Sequence, residues 1–385
     1  MIIRKRNRKI MTMNGILTIN RSILCKKYKP INESQRCEIV PLDELLGIDR
    51  LPFKMTKSVM VEVAYVGQMM HSYESASKEL YRRLGYLVCA SLVREVTIYV
   101  GDIVYRHDLR RALETQRNIA NSLPDIKHKL RGVLYILVDG SALNTRVKDN
   151  DGSTWRENKL GLCYVSTNVI RRRTKEKNGH TITKKEYTAF VGSSDEFRKF
   201  VYQIAVNQGY GRYETTIVLG DGASWIRTMC DEVFPDAIQI LDYYHLEENV
   251  YDFAKAVFGN DADKYNDWAK LVIGHIMDGN TANALNEIDK YSDVKLYANV
   301  VNLNTYINNN IDKINYKVYK ETKWLIGSGS IESANKTILQ RRLKQSGMRW
   351  NVNTAQPILS LRAKVESGLF ASVVVPLVLN FNFTT

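Results

Sequence analysis

Cysteine is scarce and unpaired in this chain. Five residues, Cys25, Cys37, Cys89, Cys163 and Cys230, are scattered over 385 positions with no C-x-x-C pair. An odd, dispersed set argues against a disulfide framework and for a reducing compartment. Cys25 and Cys37 bracket a short polar stretch, but two thiolates cannot complete a tetrahedral zinc site and no further Cys or His lies nearby. Either a zinc module has decayed here or these are free thiols, and the second is the simpler account. Long apolar runs are also missing. No window approaches the ~18 apolar residues that a membrane helix needs, and the tail Val373–Leu379 is too short and contains Pro376. The basic start MIIRKRNRKI is not followed by the apolar core of a signal peptide. These absences predict a cytoplasmic chain with no membrane partner.

Acid is the minority charge. Lys and Arg number 55 against 41 Asp and Glu, which leaves a formal net charge of +14. Such an excess points to a polyanion partner, nucleic acid first, although a generally basic surface gives the same total. Hydrophobic content of 44% and charged content of 25% are those of a globular protein. The length allows a sizeable core and two or three domains.

Residues 1–56 carry a basic run (Arg4, Lys5, Arg6, Arg8, Lys9) and a possible small hairpin, from the β-branched stretches Ile16–Ile19 and Ile23–Cys25. Residues 57–128 read as helical. Val59–Met70 is apolar on one face, Ser72 caps a helix running to about Leu84, Gly85 breaks it, and a third helix runs from about Cys89 to Val100. Arg82, Arg83 and Arg94 on these helices suit a helix-turn-helix that binds DNA. An ordinary three-helix bundle fits the pattern equally well.

From 129 to 250 the pattern becomes α/β. A strand ends in Asp139-Gly140, strands follow at Leu160–Val169 and Glu186–Val191 around a charged turn (Arg171–Lys184), and Ser193 caps a helix to about Asn207. The strand Thr216–Leu219 is stopped by Gly220-Asp221-Gly222, and Ala237–Leu241 by Asp242-Tyr243-Tyr244-His245. Three strands joined as hairpins and then α/β alternation are the order of a ribonuclease-H-like fold. Residues 251–322 lose strand signal and read as an all-helical insertion. Residues 323–368 bring a Gly/Ser-rich turn and a helix with Glu332 in its first turn. Residues 369–385 form an atypical tail.

Three acids then stand where α/β folds gather ligands, at strand ends and a helix start. Phosphodiester transfer needs divalent ions that hold attacking and leaving oxygens in line, and hard ions want carboxylates. Asp139, Asp221 and Glu332 are therefore the candidate catalytic and metal-holding set, for Mg²⁺ or Mn²⁺, as two ions. Any one alone has an ordinary alternative, since Asp-Gly is a common turn and Glu in a first helical turn is usual capping. Their joint order on a basic chain favours function. Asp242 and His245 are secondary, a cap and a half-buried imidazole being an adequate account. Arg341, Arg342 and Lys344, following Glu332 along one helix, are candidate phosphate contacts, with a solvated helix face as the alternative.

At this point a resemblance is specific. Asp139-Gly, Gly-Asp221-Gly-Ala-x-Trp-Ile, Phe234-Pro, Leu-Asp242-Tyr-Tyr-His245, Gly-Ser-Gly-Ser-Ile-Glu332-Ser and the stretch from Gln340 to Trp350 resemble bacterial DDE insertion-sequence transposases. The similarity is to the ISLre-type group, related to Mutator-like transposases with a (C/D)-x-x-H signature. The resemblance implies a metal held by Asp139, Asp221 and Glu332, with Asp242 and His245 as the signature pair. It implies cleavage at element ends by water, then attack of the freed 3′-hydroxyl on target DNA. Double-stranded DNA, as terminal inverted repeats and target, would be the partner of a homo-oligomer in the nucleoid. Two departures from that group's pattern point to a copy truncated at its amino end and frameshifted in its tail. Such proteins usually have more chain ahead of the basic start, and the sequence after Gly368 loses charge and motif. The competing expectations are a decayed copy that only binds DNA, and a related nuclease of the same chemistry.

Overall fold

The computed structural model describes residues 2–25, 38–117, 129–148, 151–173, 178–294, 296–297 and 300–381; Cys37 and part of the charged turn fall outside them. No helix among these is long and apolar enough to cross a membrane. The chain forms two compact units, both discontinuous in sequence. Unit 1 is Met1–Asp108, Asn144–Asp149 and Ile338–Thr385; unit 2 is Leu109–Leu143 and Asn150–Thr337.

Unit 1 opens with a hairpin of two long antiparallel strands, β1 (Ile2–Thr12) and β2 (Gly15–Cys25), in register from Ile2↔Cys25 to Thr12↔Gly15. A short β3 (Glu38–Ile39) joins β2. The expected hairpin lay within 16–25; instead the basic run is itself the first strand. Arg4, Lys5 and Arg6 are exposed, so no apolar alternation marks the strand, and the ladder is held by backbone hydrogen bonds. Arg8 and Arg21 converge on the buried carboxylate of Asp43 in α1 (Pro41–Leu46).

Three helices build the core of this unit: α2 (Lys57–Met69), α3 (Tyr73–Leu84) and α4 (Ala90–Arg117). The Ser72 hydroxyl accepts from the Ser75 amide at 3.0 Å and caps α3. Gly85 closes it in the left-handed conformation. Val59, Val63, Leu80, Val93, Val96 and Val100 interlock below these helices. α4 runs to Arg117 and does not stop near Val100, passing from unit 1 into unit 2.

Unit 2 holds a five-stranded sheet in the order β10-β9-β4-β5-β8. Its strands are β4 (Leu130–Asn144), β5 (Trp155–Val165), β8 (Glu186–Val191), β9 (Tyr213–Gly220) and β10 (Ile238–Leu241). β4, β9 and β10 are parallel neighbours, whereas β5 and β8 pair antiparallel. The sheet is thus mixed, as in an α/β protein. The charged turn between β5 and β8 contains its own hairpin, β6 (Val169–Arg173) with β7 (Asn178–Ile182). The helix α5 (Ser194–Asn207) is capped by Ser193, and α6 (Ser224–Val233) follows β9. Both lie in βα connections of the kind that place helices against a sheet. Burial is nearly continuous along β5 and β8, as expected of strands covered on both faces.

After β10 come α7 (Tyr243–Phe258), α8 (Ala262–Met277), α9 (Thr281–Asp289), α10 (Leu303–Asn309) and α11 (Tyr316–Glu321). Among the described residues of 251–322 there is no strand. A short α12 (Gly329–Ala334) then gives way to a π-helical stretch, Asn335–Gln340, and to α13 (Arg341–Leu343). The expected single helix after Glu332 is therefore a helix with a π segment inside it, a distortion often found at functional sites.

The last elements return to unit 1: α14 (Val352–Glu366), a π turn at Phe370–Val374 and α15 (Val375–Leu379). Val374 and Val378 are fully buried in the same core as α2–α4. The segment expected to be an atypical tail is thus part of the packing.

Candidate metal centre

Parallel pairing sets the first part of the site. Leu137 of β4 stands opposite Leu219 of β9, so Asp139 and Asp221, each two residues further on, face the same sheet end. Gly220 of β9 pairs with Leu241 of β10, and the Asp242 amide donates to the Gly220 carbonyl at 2.8 Å. Three aspartates therefore stand just beyond the last parallel pairings of three adjacent strands. β4 itself continues past Asp139 to Asn144; the acid was expected to close the strand, but it lies on an overhang beyond the last β9 partner.

Each acid is held differently. The Asp139 Oδ2 accepts from the Asn335 side-chain amide at 2.9 Å. Burial raises the Asp139 carboxyl above its usual range, partly offset by Asn335 and by His245, with Asp221 adding to the rise. Asp221 is half-buried, its Oδ1 accepts from the Ala223 amide at 2.9 Å, and its carbonyl accepts from the Tyr306 hydroxyl at 3.0 Å. Gly222 beside it takes φ +86°, which only glycine adopts readily, so the Gly-Asp-Gly grammar is a backbone requirement as well as a turn signal.

Asp242 is fully buried. It caps α7 through the Tyr244 amide at 3.1 Å and also accepts from the Ser328 amide at 3.1 Å and the Ser328 hydroxyl. Burial raises its carboxyl, against the hydrogen bonds from Ser328 and Tyr244. The same Ser328 hydroxyl lies 3.3 Å from Glu332 Oε1. One hydroxyl thus stands within hydrogen-bond distance of both carboxylates. His245 Nε2 stands 3.8 Å from Asp242 Oδ2 and is about one-third exposed.

Ligand atoms from Asp242, His245 and Glu332 all lie within 4.8 Å of one another. Two of these donors are carboxylates, one fully buried and one nearer the surface. Two carboxylates and an imidazole form a donor set that suits Mn²⁺ or Mg²⁺ on the oxygen side and a softer divalent ion on the nitrogen side. The residues thus fit a metal. Glu332 also faces a cavity of about 570 Å³ with Glu247, Glu248, Asp252, Tyr251 and Lys255 on its walls.

The sequence-derived residues sort unevenly. Glu332 joins Asp242 and His245 in a tight cluster, while Asp139 and Asp221 stand side by side on β4 and β9, coupled to the cluster by the field of His245 at Asp139. Asp242, ranked as secondary from the sequence, is the buried centre. Ser328 and Asn335 escaped the sequence reading: one sat inside a Gly/Ser turn, the other one helical turn after Glu332. Of the basic candidates, Arg82 and Arg83 are engaged by Glu79, and Arg83 also by Glu62. Arg94, Arg341 and Lys344 are exposed. Arg342 does not sit on a solvated face: it is 1% exposed, between Tyr73 and Trp350. Its flat guanidinium is packed by rings, which an open helix face would not provide.

Residues 1–374 match the model of an uncharacterised protein family, UPF0236. The chain belongs to that family. No curated protein matches it.

Proposed function

We propose that this family member is a DDE-type transposase: a metal-dependent polynucleotidyl transferase that cuts the ends of an insertion sequence and joins them to target DNA. The observation carrying the reading is the convergence of Asp139, Asp221 and Asp242 at one end of three parallel strands, with Glu332 delivered beside Asp242 by a late helix. The strand order, with β4 central, β5 and β8 on one side and β9 and β10 on the other, supports a ribonuclease-H-like core. The helical stretch between β10 and Glu332 supports an insertion before the last acid.

Asp139, Asp221, Glu332 and, on this geometry, Asp242 with His245 would hold the metal. A divalent ion there supplies positive charge at the phosphorus and alignment of attacking and leaving oxygens. The residues around it do the positioning. Asn335 orients the Asp139 carboxylate, and Ser328 ties Asp242 to Glu332. His245 offers an imidazole that can take or give a proton at the cleft. The acidic walls near Glu332 repel phosphate unless cations are present, so DNA binding at this face is expected to require the metal. The net charge of +14 supports double-stranded DNA as partner, bound by a homo-oligomer.

The test is nicking and strand transfer on DNA carrying the element's terminal repeats, with Mg²⁺ or Mn²⁺. Asp221→Ala and Glu332→Ala should each reduce the product at least a hundredfold. Full activity in either variant removes the metal assignment. Salt-sensitive binding with no metal-dependent cleavage would instead mark a DNA-binding copy, and preference for an RNA–DNA hybrid would mark a related nuclease.

A further inference from the structure

Within unit 1, a cavity of about 490 Å³ is lined by Arg94, Arg146, Arg342, Arg349, Tyr73 and Trp350, with Ser72 and Glu74 at the start of α3. Four arginines and a single exposed carboxylate, Glu74, thus share this lining. None of the four forms an ion pair among the described residues. Arg342 is the innermost, its guanidinium carbon 4.3 Å from the Tyr73 ring centre and 5.5 Å from that of Trp350. Its Nε and Nη2, and the Tyr73 hydroxyl, are buried with no hydrogen-bond partner.

A guanidinium cannot shed its charge, and burying it unpaired is strongly unfavourable. Cation–π contact returns only part of that. Three unpartnered buried polar atoms on two lining residues, in a cavity lined by three further arginines, call for an anion with several acceptor oxygens. A phosphate matches the guanidinium fork better than a single point acceptor does. The half-buried Trp350 ring beside it offers a face on which a base can stack.

We infer that this cavity is a second nucleic-acid contact, in which Arg342, Arg94, Arg146 and Arg349 take a backbone phosphate of a DNA strand. That the phosphate comes from nucleic acid rests on the proposed transferase reading; the anion pocket itself does not. Phosphate contacts of this kind position DNA without reading its sequence.

The test uses the full chain in EDTA, so that metal-dependent chemistry is silent, with a fluorescein-labelled DNA oligonucleotide followed by anisotropy over a range of salt. Arg94→Gln/Arg349→Gln should weaken binding about tenfold and make the log–log salt slope shallower by roughly 0.9 for each phosphate no longer neutralised. Arg342→Met should weaken binding in the same direction while leaving the melting temperature equal or higher, since it removes an unpaired buried charge. Unchanged affinity and slope in both variants overturn the inference. Inorganic phosphate that raises the melting temperature of the parent but not of the double variant, with oligonucleotide binding unaltered, overturns the nucleic-acid source. Nicking in Mg²⁺ is read separately on the same preparations. If the parent never nicks DNA yet the variants still bind it more weakly, the transferase reading fails and the pocket stands.

Discussion

Asp242 shows how one side chain can serve as a cap and as a site at once. An N-cap aspartate is normally half in water, where its charge is inexpensive. Here it is fully buried and takes three hydrogen bonds, from Tyr244 and twice from Ser328. Burial still wins, because its carboxyl is raised above the ordinary value. A folded-state value above the unfolded one means the folded chain binds the proton more readily, so stability falls as pH rises from the unfolded value through the raised one. We therefore expect Asp242→Asn, in chelator at neutral pH, to melt no lower than the parent, and the advantage to vanish in acid. The same variant should bind Mn²⁺ at least tenfold more weakly by calorimetry. A large drop in melting temperature with metal affinity intact would make Asp242 a structural cap only.

At the scale of elements, close backbone approach decides which helices can pack. A Cβ on Gly101 of α4 would lie 2.4 Å from the Pro357 carbonyl oxygen of α14. That approach explains a glycine in the interior of a helix, where it costs about 0.5–1 kcal/mol relative to alanine. Backbone cannot move aside as a flexible side chain can. Gly101→Ala should destabilise unit 1 by about 1–3 kcal/mol, seen as a lower urea midpoint with an unchanged slope. An unchanged midpoint would mean that α4 and α14 can part without cost. The helix was expected to end near Val100, and the partner that accounts for the glycine is more than two hundred residues away in the chain. Similarly, β1 was invisible as a strand because its charged side chains carry no burial pattern, only a ladder. β8 and the Ser193 cap, whose signals are local, were legible to the residue.

At the scale of the whole molecule, residues from the first hundred positions and from the last helix meet in one core. Val374 and Val378 pack with Val59, Val63 and Val100, and the Lys57 ammonium donates to the carbonyls of Leu379 and Phe381 at 2.8 Å. Val378→Ala should cost about 2 kcal/mol through reduced burial and the cavity left behind, measured as a lower thermal midpoint. An effect within error would show that the last helix adds nothing to stability. Unit 2 is built on the opposite plan, a sheet with its acids at one end and helices between the last strand and the last acid.

The sequence by itself determined the strand and helix alphabet around the acids, the basic balance, the absence of a membrane helix and the identities of Asp139, Asp221 and Glu332 as candidates. Those signals are local: an apolar run stopped by Gly-Asp, a capping serine, a count of charges. Only the tertiary structure decided that Asp242 is the buried partner of Glu332, that Ser328 and Asn335 orient the acids, and that Arg342 is packed against two rings in the lining of a cavity. Each of these depends on residues brought together across scores or hundreds of positions by parallel strand pairing or helix packing, and no spacing along the chain encodes such a meeting.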